Sequence, residues 1–478
     1  MTRLIGSLSF LGALLFALTI MGACDSDESE PTPDPPKPAT MFYAAYAEVD
    51  VTPPDGTPMG AYGIPGGSRR TEGVHDPAMA QVTFFRNDID EEFVLISVDT
   101  PGYFYEFGDW GPGIKQVRIA AAEQVKATHG IDMDPESIMI VSTHTHSAAD
   151  LIGFWCPMDE GPDKQLLQDM QDKIAGAITE AAGKLEPVTV KFVHTELVGL
   201  SGRDDHCGGD LIDNSVDIIH VFDAQDEPMV ILTNYAYHPT KLGASNKLVS
   251  ADWIWGYREE LKKETGTPAM FLQGFEGAVH SGDMSVPGED AWERTYNTGK
   301  VVADAVLAAL PDAVPSETFG ISSKATEVSC LADGEMILSG YWLFQVPKRT
   351  MTEVPEGPDC EKDVGSFEFC SDLYIEQIAT SWHRLGDAEF AGFPGEADPN
   401  YGLTLKSHMV QPFKFALGLA NDSLGYFISP EGLAADDTGR LMGYEIQMGL
   451  GVEGGPCVWA GQEELNWFDG AWQTEKQE

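Results

Sequence analysis

Positive charge is scarce in this chain: 29 Lys and Arg stand against 76 Asp and Glu over 478 residues, a formal net charge of −47. A surface this acidic repels phosphate backbones, which excludes nucleic acid as an expected partner, and charge alone does not dock it on an anionic membrane. Cysteine is sparse too, seven in all, with no CxxC pair and no Cys/His cluster at zinc-finger spacing, so a thiolate-held metal is not expected. Beyond the first two dozen residues no stretch approaches the ~20 consecutive apolar residues that cross a bilayer. There is no internal repeat, and no linker after residue 40. Acid runs such as Asp88 to Glu92 lack the Gly-centred spacing of an EF-hand loop, and no calcium site is assigned. Hydrophobic residues, by contrast, make up 43% of the chain, enough for a large core, and 50 Gly with 30 Pro predict a loop-rich protein.

The first residues read as an export signal. Arg3 precedes a mostly apolar run from Leu4 to Gly22 that ends in Met21-Gly22-Ala23-Cys24. A basic start, a hydrophobic stretch and small residues before a cut site make a secretory signal. Small residues directly before Cys24 resemble a bacterial lipobox, in which that cysteine is acylated and becomes the mature N-terminus. Residues 24–40, with acids from Asp25 to Glu30 and five prolines between Pro31 and Pro38, read as a solvated tether. The expected organisation is a signal peptide over 1–23, this tether, and one domain over 41–478, exported and lipid-anchored at the cell envelope. Six cysteines follow Cys24: Cys156, Cys207, Cys330, Cys360, Cys370 and Cys457. An even number in an exported chain permits three disulfides in any of 15 pairings, with buried free thiols as the alternative; Cys360 and Cys370, flanking a short acidic loop, are the favoured pair.

The body alternates strand-like and helix-like segments. Phe93 to Val98 and Ser137 to Ser142 read as buried strands, and Ile114 to His129 and Leu166 to Leu185 have helical spacing. Asp217 to Phe222 and Met229 to Tyr237 predict a hairpin. Trp253 to Glu264 and Trp292 to Leu310 predict helices with a strand, Pro268 to Gln273, between them. In the less regular second half, Phe319 to Leu331, Phe390 to Phe393 and Phe413 to Leu419 predict strands, and Leu373 to His383 a helix. The expected fold class is α/β, a large single domain of mixed β-sheet flanked by helices.

Chemistry gathers where apolar strands run out. The strand ending at Ser142 leads into Thr143-His144-Thr145-His146-Ser147, and residues two apart in an extended chain point to the same side. Two imidazoles so placed suit Zn²⁺, although a hydrogen-bonded surface pair has the same spacing. A further strand ends in His238-Pro239, and Phe393 leads into Pro394-Gly395-Glu396. Ligands of α/β folds collect at the carboxyl ends of strands, and the repetition at successive ends favours a site.

The order Ala47 to Pro54, Met59-Gly60-Ala61-Tyr62-Gly63, Val74-His75-Asp76-Pro77 and Ser142 to Ser147 resembles the N-terminal catalytic domain of neutral/alkaline ceramidases. The resemblance continues through Gly202-Arg203, Asn234 to Pro239, Ser250-Ala251-Asp252, Phe271 to Gly274, Pro394 to Glu396, Gly418 to Asn421 and Gly443-Tyr444-Glu445, collinear over residues 41–446. It implies zinc ligands at His144, His238, Glu396 and Tyr426, an active-site arginine at Arg203, a second tyrosine at Tyr444, and His146 beside the ligands or against a substrate hydroxyl. It implies a zinc-dependent hydrolase of N-acyl amides, ceramide or a related lipid. Zinc would polarise the carbonyl, with Arg203 and Tyr444 holding the oxyanion.

The departures from that pattern are local. Where the family carries Gly-Asp-x-Ser/Asn-Pro with a catalytic Ser, the gapless register gives Gly277-Ala278-Val279-His280-Ser281, so His280 takes the Ser position as candidate general base or acid; Gly282-Asp283-Met284-Ser285 fits only with an insertion. Ala148-Ala149 replaces the usual Gly-Pro. The sequence ends soon after Tyr444, and no immunoglobulin-like C-terminal domain is expected. The residues admit two other readings. A different HxH metallohydrolase fares poorly, because Asp150 is not followed by the His of an HxHxDH pattern and no eight-fold βα alternation is visible. A degenerate surface lipoprotein that binds lipid or a partner through the same site is favoured by the altered Gly277 to Ser281 segment.

Overall fold

The computed structural model describes residues 37–62, 67, 69–157, 160–203, 211–282, 284–332, 348–355, 362–364, 367–369, 371–435, 441–442, 445 and 448–467. Its first layer is a mixed sheet made by β1 (Phe42–Asp50), β2 (Met79–Asn87), β3 (Glu92–Val98), β4 (Ile138–Ser142) and β5 (Glu186–Glu196) with later strands. After the short β6 (Ser201–Arg203) come β7 (Ser215–Asp223), β8 (Pro228–Tyr235), β9 (Ala269–Gln273), β10 (Val279–Ser281) and β11 (Val314–Pro315). The order is β4-β3-β2-β1-β5-β7-β8-β9, with β11 extending the β1 side of β5. Only β3–β4 and β8–β9 pair in parallel; the other neighbours, β11 against β5 included, are antiparallel.

Both faces of the central strands of this sheet are buried, and the period-two pattern assigns them. Phe93 and Leu95 of β3 and Met139 and Val141 of β4 enter one core. Val94, Ile96, Ile138 and Ile140, one residue out of phase, enter another with α1 (Ile114–His129) and α2 (Lys164–Ala182). Over the far half of the sheet α3 (Trp253–Thr265) and α4 (Ala291–Ala309) play the same part, burying Trp253, Ile254, Tyr257 and Val302 against Ile218, Ile231 and Phe271.

The other face is covered by a second sheet. After β12 (Ile321–Leu331), β13 (Met351–Pro355) and a small hairpin, β14 (Lys362–Val364) with β15 (Phe367–Phe369), come β16 (Ser371–Leu385), β17 (Ala388–Gly392), the short β18 (Glu396–Ala397) and β19 (Phe413–Leu417). Its order is β12-β16-β17-β19, with β13 on β16. Leu385, Phe390, Phe415 and Leu417 point at Phe85, Phe192 and Leu232 of the first sheet. On its outer side lie α5 (Pro399–His408) and α6 (Gly454–Trp467), which bring Tyr401, Leu405 and Val458 against Ile375, Ile378 and Phe393. The result is four layers, helices outside two stacked mixed sheets, which bears out the expected class.

One segment departs from its reading. Leu373 to His383 is strand β16, not helix. Gln377 has φ +52°, and the register with β12 slips so that Val328 faces Ile378 while Cys330 faces Ile375. This bulge adds a residue to β16 and puts Ile375 and Ile378 in the same core at a spacing of three, which mimics a helical face. Among the cysteines, Cys330 and Cys457 are bonded, tying β12 to α6, and Cys156 is a buried free thiol. A framework of three disulfides that includes Cys156 is therefore not what the chain forms: Cys156 hydrogen-bonds to the buried Asp150 carboxylate instead. The favoured Cys360–Cys370 pair lies outside the described residues, as do Cys207 and Cys24. Among the described residues no helix is long and apolar enough to cross a membrane.

Candidate metal centre

Three strand ends and one cross-sheet turn converge. His144 and His146 follow β4, His238 follows β8, and Glu396 follows β17 across a Pro394-Gly395 turn. His144 Nε2 and His146 Nε2 are 3.0 Å apart. Glu396 Oε2 lies 3.3 Å from His144 Nε2 and 3.1 Å from His238 Nε2. The outer nitrogens of two imidazoles are anchored: His144 Nδ1 donates to the Pro101 carbonyl at 2.6 Å and His238 Nδ1 to the Val279 carbonyl at 2.9 Å. A proton fixed on Nδ1 turns each Nε2 inward, which is how metal-ligating histidines are usually oriented.

One buried side chain ties the loops together. Gln273, at the end of β9, donates from Nε2 to the Thr143 carbonyl at 3.1 Å and the Tyr237 carbonyl at 3.2 Å, the residues just before His144 and His238. The Trp253 indole holds the His238 carbonyl at 3.1 Å. Glu396 N–H donates to the Gly425 carbonyl, and Gly277 N–H to the Ala397 carbonyl. A Cβ at Gly277 would sit 2.3 Å from the Glu396 carbonyl oxygen, so only glycine allows this approach. His144 itself has φ +67°, and Ala61 and Leu419 of the adjoining wall also have positive φ. Non-glycine residues persist there only when the surroundings over-determine them, and such strain clusters at functional sites.

The electrostatics follow from burial and proximity. Burial opposes charge on His144, but the Glu396 carboxylate outweighs it and holds the imidazole pKa up at about 9. Burial likewise opposes ionisation of Glu396, yet His144 and His238 hold its carboxyl well below the usual range. His146 is pushed well below the ordinary imidazole value by burial and by the charges of His144 and His238. Among protein groups alone, then, a proton on His144 sits between a neutral imidazole and a carboxylate. That is a cation's position, and the donor set is one that fits Zn²⁺. Among the described residues two groups have ligand atoms within 4.8 Å of one another: His144, His146 and His238, and His144, Glu276 and Glu396.

Three members of the cluster, His144, His146 and Glu396, line an apolar cleft enclosing about 710 Å³, part of it open to solvent. Phe104, Ile152, Phe154, Trp155, Leu419, Leu424 and Met448 line it together with His144, His146, Glu396 and Tyr426. Tyr426 pairs in register with Glu396, and its ring stacks over His238 at 6.4 Å between centroids. Arg203 is clamped by Asp398, two residues after Glu396, at 3.0 Å and 2.9 Å through two nitrogens. The structure does not bring His280 to the cleft wall: it is exposed on β10, while Val279 beside it turns inward. Ser285 is exposed as well, and Tyr444 lies outside the described residues. Glu276 was missed in the sequence. It follows β9 by three residues, so the rule that drew attention to Glu396, a carboxylate just past a strand, could have found it.

A four-layer α/β fold with a His/Glu cluster at strand ends and an apolar cleft above it defines the class of protein. No family model matches the chain, and no curated protein matches it. Solved structures do. A neutral ceramidase from Pseudomonas aeruginosa superposes with a TM-score of 0.62 at 16% identity, covering 82% of this chain and 69% of that one. A ceramidase complexed with C2 gives a TM-score of 0.61 at 16% identity, covering 82% and 70%. The chain has the neutral-ceramidase fold, as the sequence resemblance implied.

Proposed function

We propose that this protein is a zinc-dependent hydrolase of N-acyl amide bonds, acting on ceramide or a related lipid amide. One observation carries the reading: three histidines and a glutamate from three separate segments meet beside an apolar cleft. His144, His238, Glu396 and Tyr426 would hold the ion. When bound, Zn²⁺ supplies a Lewis acid for the amide carbonyl and lowers the pKa of a water. The apolar wall accepts the acyl chain and keeps water from the scissile bond. Arg203, fixed by Asp398, and Tyr444, by the sequence resemblance, would supply a cation and a phenol to the developing oxyanion. His146, held neutral on the cleft wall, meets a substrate hydroxyl. His280, exposed and off that wall, is not given a proton-transfer step. The apparent lipobox at Cys24 supports an exported, lipid-anchored enzyme with a tether over 24–40 and a catalytic domain over 41–478.

A second reading, a degenerate lipid-binding lipoprotein, is favoured by one observation: the position of the family's catalytic Ser holds this exposed histidine. One experiment separates them. The chain lacking residues 1–40 is purified without chelator, bound zinc is measured, and fatty acid release from short-chain ceramide is followed. One zinc per chain with hydrolysis that Glu396→Ala abolishes supports the enzyme. Zinc without hydrolysis of any N-acyl amide supports the binder, and no zinc sinks the ligand set.

A further inference from the structure

Glu276 is fully buried, and neither of its carboxylate oxygens has a hydrogen-bond partner among the described residues. A charged group in that condition is strongly unfavourable unless a cation or a proton neutralises it. No Lys or Arg of the described residues makes an ion pair with it. Its neighbours are the metal-centre residues themselves: ligand atoms of Glu276, His144 and Glu396 all lie within 4.8 Å of one another. Two carboxylates at that separation repel each other, unless a cation lies between them.

The backbone is shaped for this placement. β9 carries Glu276 past Gln273, the residue that ties the two histidine loops, and Gly277 N–H then bonds to Ala397, next to Glu396. The two carboxylates are thus held on directly bonded segments. Gly418 closes the other side: a Cβ there would lie 2.9 Å from Glu276 Oε2 and 2.4 Å from the Gly274 carbonyl oxygen, so this wall needs glycine. Glu276 is not part of the cleft wall where substrate enters. Its carboxylate faces the centre from the protein side, the place of a metal donor.

Resting on the zinc reading above, we propose that Glu276 is a second carboxylate donor to the ion held by His144 and Glu396. Two carboxylates with neutral imidazoles then balance a dication, and the buried charge on Glu276 has its partner. The sequence resemblance assigns no ligand at this position, so the donor belongs to this chain.

The test is metal binding. Zinc content and dissociation constant, by chelator competition, are measured for the wild-type chain, Glu276→Gln, Glu276→Leu and Glu396→Ala, with the metal-dependent rise in Tm read in parallel. The expected result is one equivalent in the wild type, a dissociation constant raised at least about 10-fold in both Glu276 variants, and a smaller metal-dependent Tm rise while the apo variants stay folded. Wild-type affinity in Glu276→Gln and Glu276→Leu, with Glu396→Ala defective, overturns the donor role and leaves the zinc reading standing. A wild-type chain that binds no zinc overturns both. If both Glu276 variants fail to fold, the absorption of the Co²⁺-loaded Glu276→Asp variant decides: a d–d spectrum identical to wild type overturns the proposal, and a changed one supports it.

Discussion

The two sheets do different work. The first has a dry centre packed mainly by apolar side chains: β3, β4 and β9 are buried nearly from end to end. The second is half-exposed along β12 and β13 and relies on discrete ties. Cys330–Cys457 pins β12 to α6. Arg349, its side chain fully buried, bonds to Asp422 through two nitrogens at 2.9 Å and 2.6 Å. Asp422 in turn accepts from Tyr105 N–H. The first sheet supplies all the histidines, and the second supplies Glu396 and leads on to Tyr426. A rigid half thus presents the imidazoles, and a stapled half closes on them with a carboxylate.

The sharpest way to break this division is to remove the carboxylate that crosses it. Glu396→Ala is expected to lose zinc and to lower kcat/KM for short-chain ceramide at least about 10³-fold, an effect of the size seen when a principal electrostatic group is deleted; metal analysis and fatty acid release check it. Cys457→Ser tests the staple. It closes a loop with a sequence separation of 127, and its loss should cost about 2–4 kcal/mol in denaturant unfolding, with zinc content unchanged. Equal stability would show that packing alone holds the second sheet.

Gln273→Leu tests how the first sheet aligns its two histidine loops. It removes the two hydrogen bonds Gln273 donates and the two it accepts from Tyr237 and Gly274 N–H, and zinc affinity should fall about 10- to 100-fold while the far-UV spectrum is preserved. The smallest effect concerns pH. Burial first, and Lys191 second, lower the His220 pKa from 6.5 to about 4. The unfolded chain therefore binds a proton between those values that the folded chain does not, so stability falls as pH drops from 6.5 towards 4 and is unaffected above. The slope from this group is at most about 1.4 kcal/mol per pH unit. His220→Gln should flatten it in urea titrations, locating this part of the acid sensitivity in the first sheet.

The same contrast governs what could be read in advance. Buried strands with continuous apolar runs, such as β3, β4 and β9, stand out, and α1 and α3 announce themselves by their spacing. β1 was not anticipated because Ala44, Ala45 and Ala47 give a weak apolar signal where the sheet packs closely. β16 read as helix because its bulge at Gln377 breaks the period of two. At the site, His144, His238 and Glu396 were visible as groups placed just past strands, and the structure brings them together. Glu276 obeys the same rule and escaped notice, because no neighbouring histidine marks it as a ligand.

The sequence by itself determined that segments such as β3, β4, β8, α1 and α2 become strands and helices, and which strand ends carry imidazole or carboxylate, because periodicity and local turn chemistry are properties of neighbouring residues. Only the tertiary structure decided that Glu276 and Glu396, 120 positions apart in the chain, share one centre, that Arg203 is held by Asp398, and that Cys330 meets Cys457. Those distances are set by how two sheets stack through Phe85, Phe390, Phe415 and Leu417. No local pattern contains a packing between layers.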